Sequence, residues 1–156
     1  MKERTGPAAV KGCIWKLPTG LVDPTEDLQD AALREAKEET CLDCEFTSIV
    51  CFRHSHGCST SLGATSDLFF VCLLRLLDNT QETCLQESEI LDSRWVHFSS
   101  IHEVTGCMEG TAAHELMERI VQVVAGTSRI GISCRKLPAW RRNNCDQWIF
   151  FPVDSS

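Results

Sequence analysis

The stretch that most constrains this chain is residues 20–42, GLVDPTEDLQDAALREAKEETCL. It contains three carboxylates, Glu35, Glu38 and Glu39, at positions i, i+3 and i+4. Because an α-helix turns about 100° per residue, these side chains fall within an arc of roughly 100° on one helix. Like charges at such helical spacings repel each other by about 0.2–0.5 kcal/mol per pair. The pattern therefore indicates either a site for a bridging cation or a charged, solvated helix face.

Residues 27–40 are predicted to form the helix that carries these carboxylates. Residues 23–25 have turn chemistry, and Thr25 or Asp27 can cap the N-terminus of the helix. Four apolar residues line one side of the helix, which is expected to pack on a sheet: Leu28, Ala32, Leu33 and Ala36. The carboxylate arc lies at the edge of this side, so we expect it at a rim of the domain rather than in open solvent.

Apolar periodicity predicts four strands and a second helix around this segment. The strands are expected at residues 13–17, 45–54, 66–77 and 94–98, a loop at 56–65 and the helix at 110–125. This order predicts an α/β domain in which a sheet is flanked by two helices. We expect the domain to span residues 1–126, with residues 127–156 as an irregular tail or an edge strand.

The composition limits the classes of function. The chain has 156 residues, enough for one domain with a core, and its net charge of −7 disfavours non-specific binding of nucleic acid. No apolar run approaches the ~20 residues of a membrane span. The N-terminus lacks the apolar segment of a secretory signal, so the ten cysteines are expected to be reduced thiols in the cytoplasm, with an organelle as the alternative. Cys41 and Cys44 lack a second pair of ligands, which disfavours a zinc or redox role.

The constraining stretch also carries a family resemblance. Its fixed positions are Gly20, Glu26, Arg34, Glu35, Ala36, Glu38, Glu39 and Leu42. This pattern resembles the Nudix box of the Nudix hydrolases, and the flanking WKLPTGLVD and SDLFFVCLL are similar to a subgroup with plant and animal members. One position departs, because the family has glycine where this chain has Cys41. A left-handed backbone is common directly after a helix, and a cysteine in that conformation is expected to cost about 1 kcal/mol.

The resemblance implies a Nudix-like α/β/α sandwich with a mixed sheet. Few residues precede Gly20, so we expect one or more N-terminal strands of that sandwich to be missing. The implied activity is Mg²⁺- or Mn²⁺-dependent hydrolysis of a nucleoside diphosphate linked to another moiety, with NADH or ADP-ribose as the substrates suggested by the subgroup. The expected partner is a small nucleotide, with homodimerisation as a further expectation. The alternative is a catalytically weak or inactive Nudix module that binds a nucleotide or a protein.

The resemblance also implies a set of metal ligands and catalytic groups. The expected ligands are the carboxylates of Glu35, Glu38 and Glu39, with the backbone carbonyl of Gly20 as an additional one. The candidate catalytic residues are Glu38, Glu35 and Glu89, with Glu87 as the alternative to Glu89. Which carboxylate acts as the general base stays open. Glu26 and Arg34 resemble an ion pair that holds the loop to the helix.

Substrate contacts are expected from the end of the second predicted strand. Arg53, His54 and His56 stand beside a predicted loop, where they can bind a diphosphate or a ribose. The simpler interpretation is that the two histidines are merely exposed. Three aromatic residues can stack on a base, although a core role is favoured for each: Trp15, Phe52 and Phe69.

Overall fold

The computed structural model describes residues 1–4, 15–60, 63–84, 90–105, 109, 111–126, 132–137 and 147–152. Six strands are described, namely β1 (Lys2–Glu3), β2 (Cys44–Thr60), β3 (Gly63–Leu76), β4 (Ile90–Asp92), β5 (Ile132–Leu137) and β6 (Gln147–Pro152). The helices are α1 (Leu28–Thr40), α2 (Ile101–Thr105) and α3 (Ala112–Val124), with a 3₁₀ turn at Phe98–Ser100. Over these ranges no helix is long and apolar enough to cross a membrane. The chain is an α/β domain, as predicted.

A long antiparallel hairpin of β2 and β3 forms the centre of the fold. The register runs from Cys44 opposite Leu76 to Thr60 opposite Gly63. Three successive residues of β2, namely Ser48, Ile49 and Val50, are buried. Since neighbouring side chains of a strand point to opposite faces, the sheet is covered on both faces here.

The prediction of a loop at residues 56–65 is wrong, because strand pairing extends through most of this segment. β2 continues to Thr60 and β3 begins at Gly63. Backbone hydrogen bonds between the strands do not require apolar side chains, so a segment rich in Gly, Ser and Thr can continue a hairpin that its apolar part has begun. The predicted strands at 45–54 and 66–77 are confirmed, but both are longer than expected.

The C-terminal strands extend the same sheet, whose order is β3-β2-β5-β6. β5 reaches the centre through the pairing of Ile132 with Ile49, and β6 pairs with β5. A separate two-stranded sheet joins β1 to β4. All of these pairings are antiparallel, so the parallel pairing of a mixed sheet is not among those of the described strands. Part of residues 127–156 therefore forms an inner strand, β5, and an edge strand, β6, while the division of the chain at residue 126 stays a prediction.

The carboxylate-bearing helix, α1, begins and ends within one residue of its predicted limits. Asp27 is its N-cap residue, in an extended conformation with φ −82° and ψ 145°. The buried apolar residues are Ala31 and Ala36, whereas Leu28, Ala32 and Leu33 are only half-buried. The buried side of the helix is thus rotated toward Ala31 relative to the prediction. α3 matches the second predicted helix, and its N-cap Thr111 accepts a 3.2 Å hydrogen bond at Oγ1 from the backbone N–H of His114.

Two short predicted strands are wrong where the structure describes them. In the segment 13–17, Trp15 makes a single isolated bridge to Lys2, and residues 16 and 17 lie outside any strand. Residues 94–97 are irregular, and the strand forms earlier, at β4. Trp95 is 65% exposed, so the alternation of RWVHF did not reflect one buried face.

Candidate active site in the residue 16–42 segment

Gly20 and Glu35 form the tightest approach of the site. A Cβ atom built on Gly20 would lie 1.9 Å from both Cδ and Oε1 of Glu35, and 2.3 Å from Oε2. Such distances are far inside van der Waals contact, so only glycine leaves room for the carboxylate. The glycine of the motif is therefore required by space: it lets the loop backbone lie directly against the carboxylate of α1.

Arg34 holds the loop before α1 against the helix. Its Nε and Nη2 donate to the two carboxylate oxygens of Glu26 at 2.8 and 2.9 Å, and Nη2 also donates to the carbonyl oxygen of Leu21 at 2.9 Å. Glu26 Oε2 in turn accepts from the backbone N–H of Asp23 at 2.9 Å. Hydrogen bonds from Arg34 lower the pKa of Glu26 to about 2, and those to Glu26 raise the pKa of Arg34. The two predicted partners are thus joined by a bidentate ion pair.

The remaining nitrogen of Arg34 lies between two of the predicted metal ligands. Nη1 is 2.6 Å from Glu35 Oε1 and 3.6 Å from Glu38 Oε2. The side chain of Glu35 is 19% exposed and that of Glu38 is 50% exposed, so this pair lies at the rim where the sequence predicted it. Both carboxylates direct an oxygen toward one cationic group. An all-oxygen, negatively charged donor set of this kind is the one that Mg²⁺ and Mn²⁺ prefer, so the residues fit such an ion.

Glu39 is buried and has separate partners. Its Oε2 accepts from the backbone N–H of Thr19 at 2.9 Å, and its Oε1 is 3.7 Å from Lys16 Nζ. Burial raises the pKa of Glu39, while the neighbouring Lys16 and the Thr19 hydrogen bond oppose that rise. Lys16 also donates to Thr19 Oγ1 at 2.8 Å. The sequence interpretation missed Lys16 and Thr19, although both stand within four residues of Gly20.

The three carboxylates do not converge on one point in this structure. Among the described residues, no choice of one oxygen each from Glu35, Glu38 and Glu39 places the three atoms within 4.8 Å of one another. The cause is the division of partners, because Arg34 neutralises Glu35 and Glu38 while Lys16 neutralises Glu39. α1 therefore carries two carboxylates at the rim, those of Glu35 and Glu38, and a third, buried one, that of Glu39.

The end of α1 has the left-handed residue that the sequence predicted, but the cysteine at that position is in a disulfide that the sequence did not predict. Cys41 has φ 63° and ψ 6°, the left-handed conformation that glycine adopts without strain, and its backbone N–H donates to the Lys37 carbonyl at 2.8 Å. A disulfide joins Cys41 to Cys84, with the two Cα atoms 5.4 Å apart. The backbone N–H of Cys84 also donates to the Thr40 carbonyl at 3.1 Å. The expectation that all cysteines are reduced is therefore wrong for this pair, whereas Cys44 and Cys51 are free thiols.

An apolar cavity of about 220 Å³ lies beside the Glu39 end of the site. Lys16 and Thr19, the partners of Glu39, line it together with Leu116 and Met117 of α3. Phe69 is a further lining residue, and the Arg53 guanidinium stacks over its ring at 5.1 Å. Arg53 thus contacts a side chain that lines the cavity.

The other residues that the sequence predicted for the site differ in how the structure places them. Trp15 lines the same cavity, and its ring is covered by the guanidinium of Arg94 at 4.2 Å and by Lys2 Nζ at 4.9 Å. Phe52 is 52% exposed and packs against Phe70, so the favoured core role is wrong for it. The backbones of His54 and His56 belong to β2, but their side chains lie outside the described part of the chain, as do the candidate Glu89 and its alternative Glu87.

Comparison with known proteins supports one family. The NUDIX domain pattern matches residues 2–116. Nudix hydrolase 2 of Arabidopsis thaliana is 45% identical over 96 residues, which cover 62% of this chain and 32% of that protein. Nudix hydrolase 10 of the same plant is 47% identical over 85 residues, or 54% and 29% of the two chains.

An animal relative matches more of the sequence. The mouse protein named Nucleoside diphosphate-linked moiety X motif 6 is 32% identical over 128 residues, which cover 81% of this chain and 39% of that protein. The match to each of these three relatives thus spans less than two fifths of the relative's length. The NUDIX pattern nevertheless covers well over half of this chain and includes every residue of the Gly20–Glu39 site. The chain therefore belongs to the NUDIX domain family.

Proposed function

We propose that this chain hydrolyses the pyrophosphate bond of a nucleoside diphosphate linked to another moiety, with Mg²⁺ or Mn²⁺ as cofactor. The observation that carries this proposal is the convergence of Glu35 and Glu38 on a single guanidinium nitrogen, at 2.6 and 3.6 Å. Two carboxylates that share one cationic group have the charge and reach needed to share a divalent ion. The names of the plant and animal relatives point to the same class of reaction.

In this proposal the carboxylates of α1 hold the ion. Glu35, Glu38 and Glu39 would be the ligands, with the Gly20 carbonyl as an additional one. The divalent ion supplies positive charge against the pyrophosphate oxygens and makes an attacking water more acidic. Arg34 keeps Glu35 in place and, through Glu26, fixes the loop that carries Gly20. The base that accepts the proton of the water is one of Glu35, Glu38 and Glu89.

The nucleotide is proposed to extend from this rim toward the apolar cavity. That cavity offers Phe69 and the apolar side chains of α3 to a base, and Lys16 is a further lining residue. Arg53, with its guanidinium over Phe69, is the proposed contact for the diphosphate, together with His54 and His56 from the same strand. NADH and ADP-ribose, which combine a flat base with a diphosphate, are the proposed substrates.

The test is a turnover assay over a panel of NADH, ADP-ribose, coenzyme A and dinucleoside polyphosphates. Each compound is offered with Mg²⁺, with Mn²⁺ and with excess chelator, and the products are separated by chromatography. Attack of water on one phosphorus breaks one P–O–P link, so a diphosphate should give two phosphate monoesters and a dinucleoside polyphosphate two nucleotides whose phosphates sum to those of the substrate. A chelator should abolish the formation of these products.

The outcomes distinguish a hydrolase from a module that only binds a nucleotide. Divalent-dependent formation of two monoesters from at least one compound supports the hydrolase. Saturable nucleotide binding without any product, measured by calorimetry on the same panel, would instead identify a binding module. Turnover that survives complete chelation would contradict the proposed role of the ion.

A further inference from the structure

A second cluster of ligand-type side chains lies away from the carboxylate rim, between α2 and α3. His102 belongs to α2, while His114 and Glu118 stand four residues apart on one side of α3. One ligand atom from each of the three residues lies within 4.8 Å of the others. In the part of the chain that the structure describes, this is the group of three that meets the spacing of a metal site.

The hydrogen bonding of His102 points to an additional ligand. Both of its ring nitrogens are buried, and neither has a hydrogen-bond partner among the described residues. Glu118 Oε1 lies 2.7 Å from Nε2, close enough for an ion pair, but the contact is not directed as an N–H donor requires. Buried polar nitrogens are normally satisfied, and leaving one without a partner costs about 1–3 kcal/mol.

The side chain of His114 lies beside that of His102. Its ring lies against that of His102, with the centroids 4.6 Å apart and the planes inclined by 32°. A neutral imidazole offers one unprotonated nitrogen, which is the atom that binds a metal.

We propose that His102, His114 and Glu118 bind a divalent transition-metal ion of the Zn²⁺ type. Two imidazole nitrogens and one carboxylate form a recognised zinc ligand set, whereas Mg²⁺ prefers oxygen ligands alone. Ligand atoms around a tetrahedral zinc ion lie about 3.4 Å apart, so side chains already within 4.8 Å need only small rotations to reach it. This site is separate in residues and in metal preference from the carboxylates of α1.

Such an ion would cross-link two helices that form part of the cavity wall. Thr105 of α2 and both Leu116 and Met117 of α3 line the apolar cavity beside Glu39. α2 has only five residues, so a bond to α3 through the ion would stabilise its position. Three protein ligands leave a fourth position of the ion for water.

The test is metal binding by the chelator-stripped full chain in buffer with excess Mg²⁺, which saturates oxygen-only sites. Co²⁺ is titrated as a spectroscopic probe, and Zn²⁺ is then added in competition. We expect one Co²⁺ per chain with the visible bands of a tetrahedral nitrogen–oxygen site, displaced by one Zn²⁺. His114→Gln should weaken the affinity for Zn²⁺ at least about 10-fold. The matched control is His97→Gln, since His97 lies outside the cluster and contacts Ser99, and it should leave the affinity unchanged.

Each other result overturns the proposal. If the wild-type chain retains no Zn²⁺, the cluster is a metal-free ion pair. If His114→Gln binds as tightly as the wild type, or if sulfur-to-cobalt charge transfer marks the bound Co²⁺, the ion is held by other residues such as the free thiols. Circular dichroism checks that His114→Gln is folded, and Glu118→Gln replaces it if it is not.

Discussion

The backbone of Gly20 lies so close to the carboxylate of Glu35 that a single added methyl group would overlap it, with the new carbon 1.9 Å from Cδ. Glu35 is not free to move aside without loss, because Arg34 Nη1 holds its Oε1 at 2.6 Å. The position of the loop backbone at Gly20 and the position of Glu35, the proposed metal ligand, therefore depend on each other.

Gly20→Ala is expected to displace the Glu35 carboxylate and reduce catalysis while the chain remains folded. A displacement of about 1 Å at a reacting centre costs on the order of 100-fold in rate, so kcat/KM should fall by about that factor. The measurement is steady-state turnover on the best compound of the panel, with Mn²⁺ affinity measured in parallel.

Gly126→Ala is the matched control for that substitution. Gly126 has φ 69° and nothing within 4 Å of its would-be Cβ, so an alanine there suffers backbone strain without a clash. We expect a loss of about 1 kcal/mol in the free energy of unfolding and unchanged turnover. Equal effects of the two substitutions on kcat/KM would show that Gly20 has no special relation to the site.

The Glu26–Arg34 ion pair is expected to contribute stability that is lost in acid. The pKa of Glu26 falls from its ordinary value of 4.5 to about 2 in the folded chain, chiefly through the hydrogen bonds from Arg34. A depressed carboxyl pKa stabilises the folded state above the unfolded value, and this contribution disappears as pH falls from 4.5 toward 2. Both side chains are only half-buried, so solvent screens the pair and the effect is small.

Comparison of the wild type with Glu26→Gln tests the direction of this pH dependence. The difference between their denaturant midpoints should be largest above pH 4.5 and should shrink toward pH 2. Glu82→Gln, at an exposed carboxylate of the connection after β3, should show no such trend. A difference that grows on acidification would contradict the ion-pair account.

Reduction of the Cys41–Cys84 disulfide is expected to destabilise the domain. The bond closes a segment with a sequence separation of 43 residues, for which about 2–4 kcal/mol of unfolding free energy is typical. Denaturant unfolding with and without a reductant measures this difference, and Cys84→Ala should behave like the reduced wild type under both conditions. A non-reduced digest without a Cys41–Cys84 peptide, analysed by mass spectrometry, would contradict the pairing.

Glycine at position 41 is expected to relieve backbone strain at the end of α1. In a Cys84→Ala background, where no disulfide forms, Cys41→Gly should raise the free energy of unfolding by about 1 kcal/mol because φ is 63°. Cys44→Gly in the same background should have the opposite sign, since Cys44 begins strand β2 and a strand glycine is destabilising. Thermal melting distinguishes the two directions.

The sequence predicted the parts of the site that depend on local spacing. The limits of α1, the helical arc of Glu35, Glu38 and Glu39, and the left-handed residue at Cys41 all follow from positions within one helix and its ends. The contacts of Lys16 with Glu39 and of Cys41 with Cys84 were missed, because they join segments 23 and 43 residues apart, beyond the reach of any local periodicity. The extension of β2 was missed for a related reason, since its pairing is set by the partner strand and not by its own polar side chains.

The most direct test of the central claim is the turnover of Glu38→Gln at saturating Mg²⁺. Gln keeps the size of the side chain and removes the negative charge that faces Arg34 and, in our proposal, the divalent ion. We expect the two phosphate monoesters to form at least about 100-fold more slowly, while the circular dichroism spectrum and the turnover of Glu82→Gln match the wild type. Turnover of Glu38→Gln at the wild-type rate would contradict metal-dependent hydrolysis at this carboxylate rim.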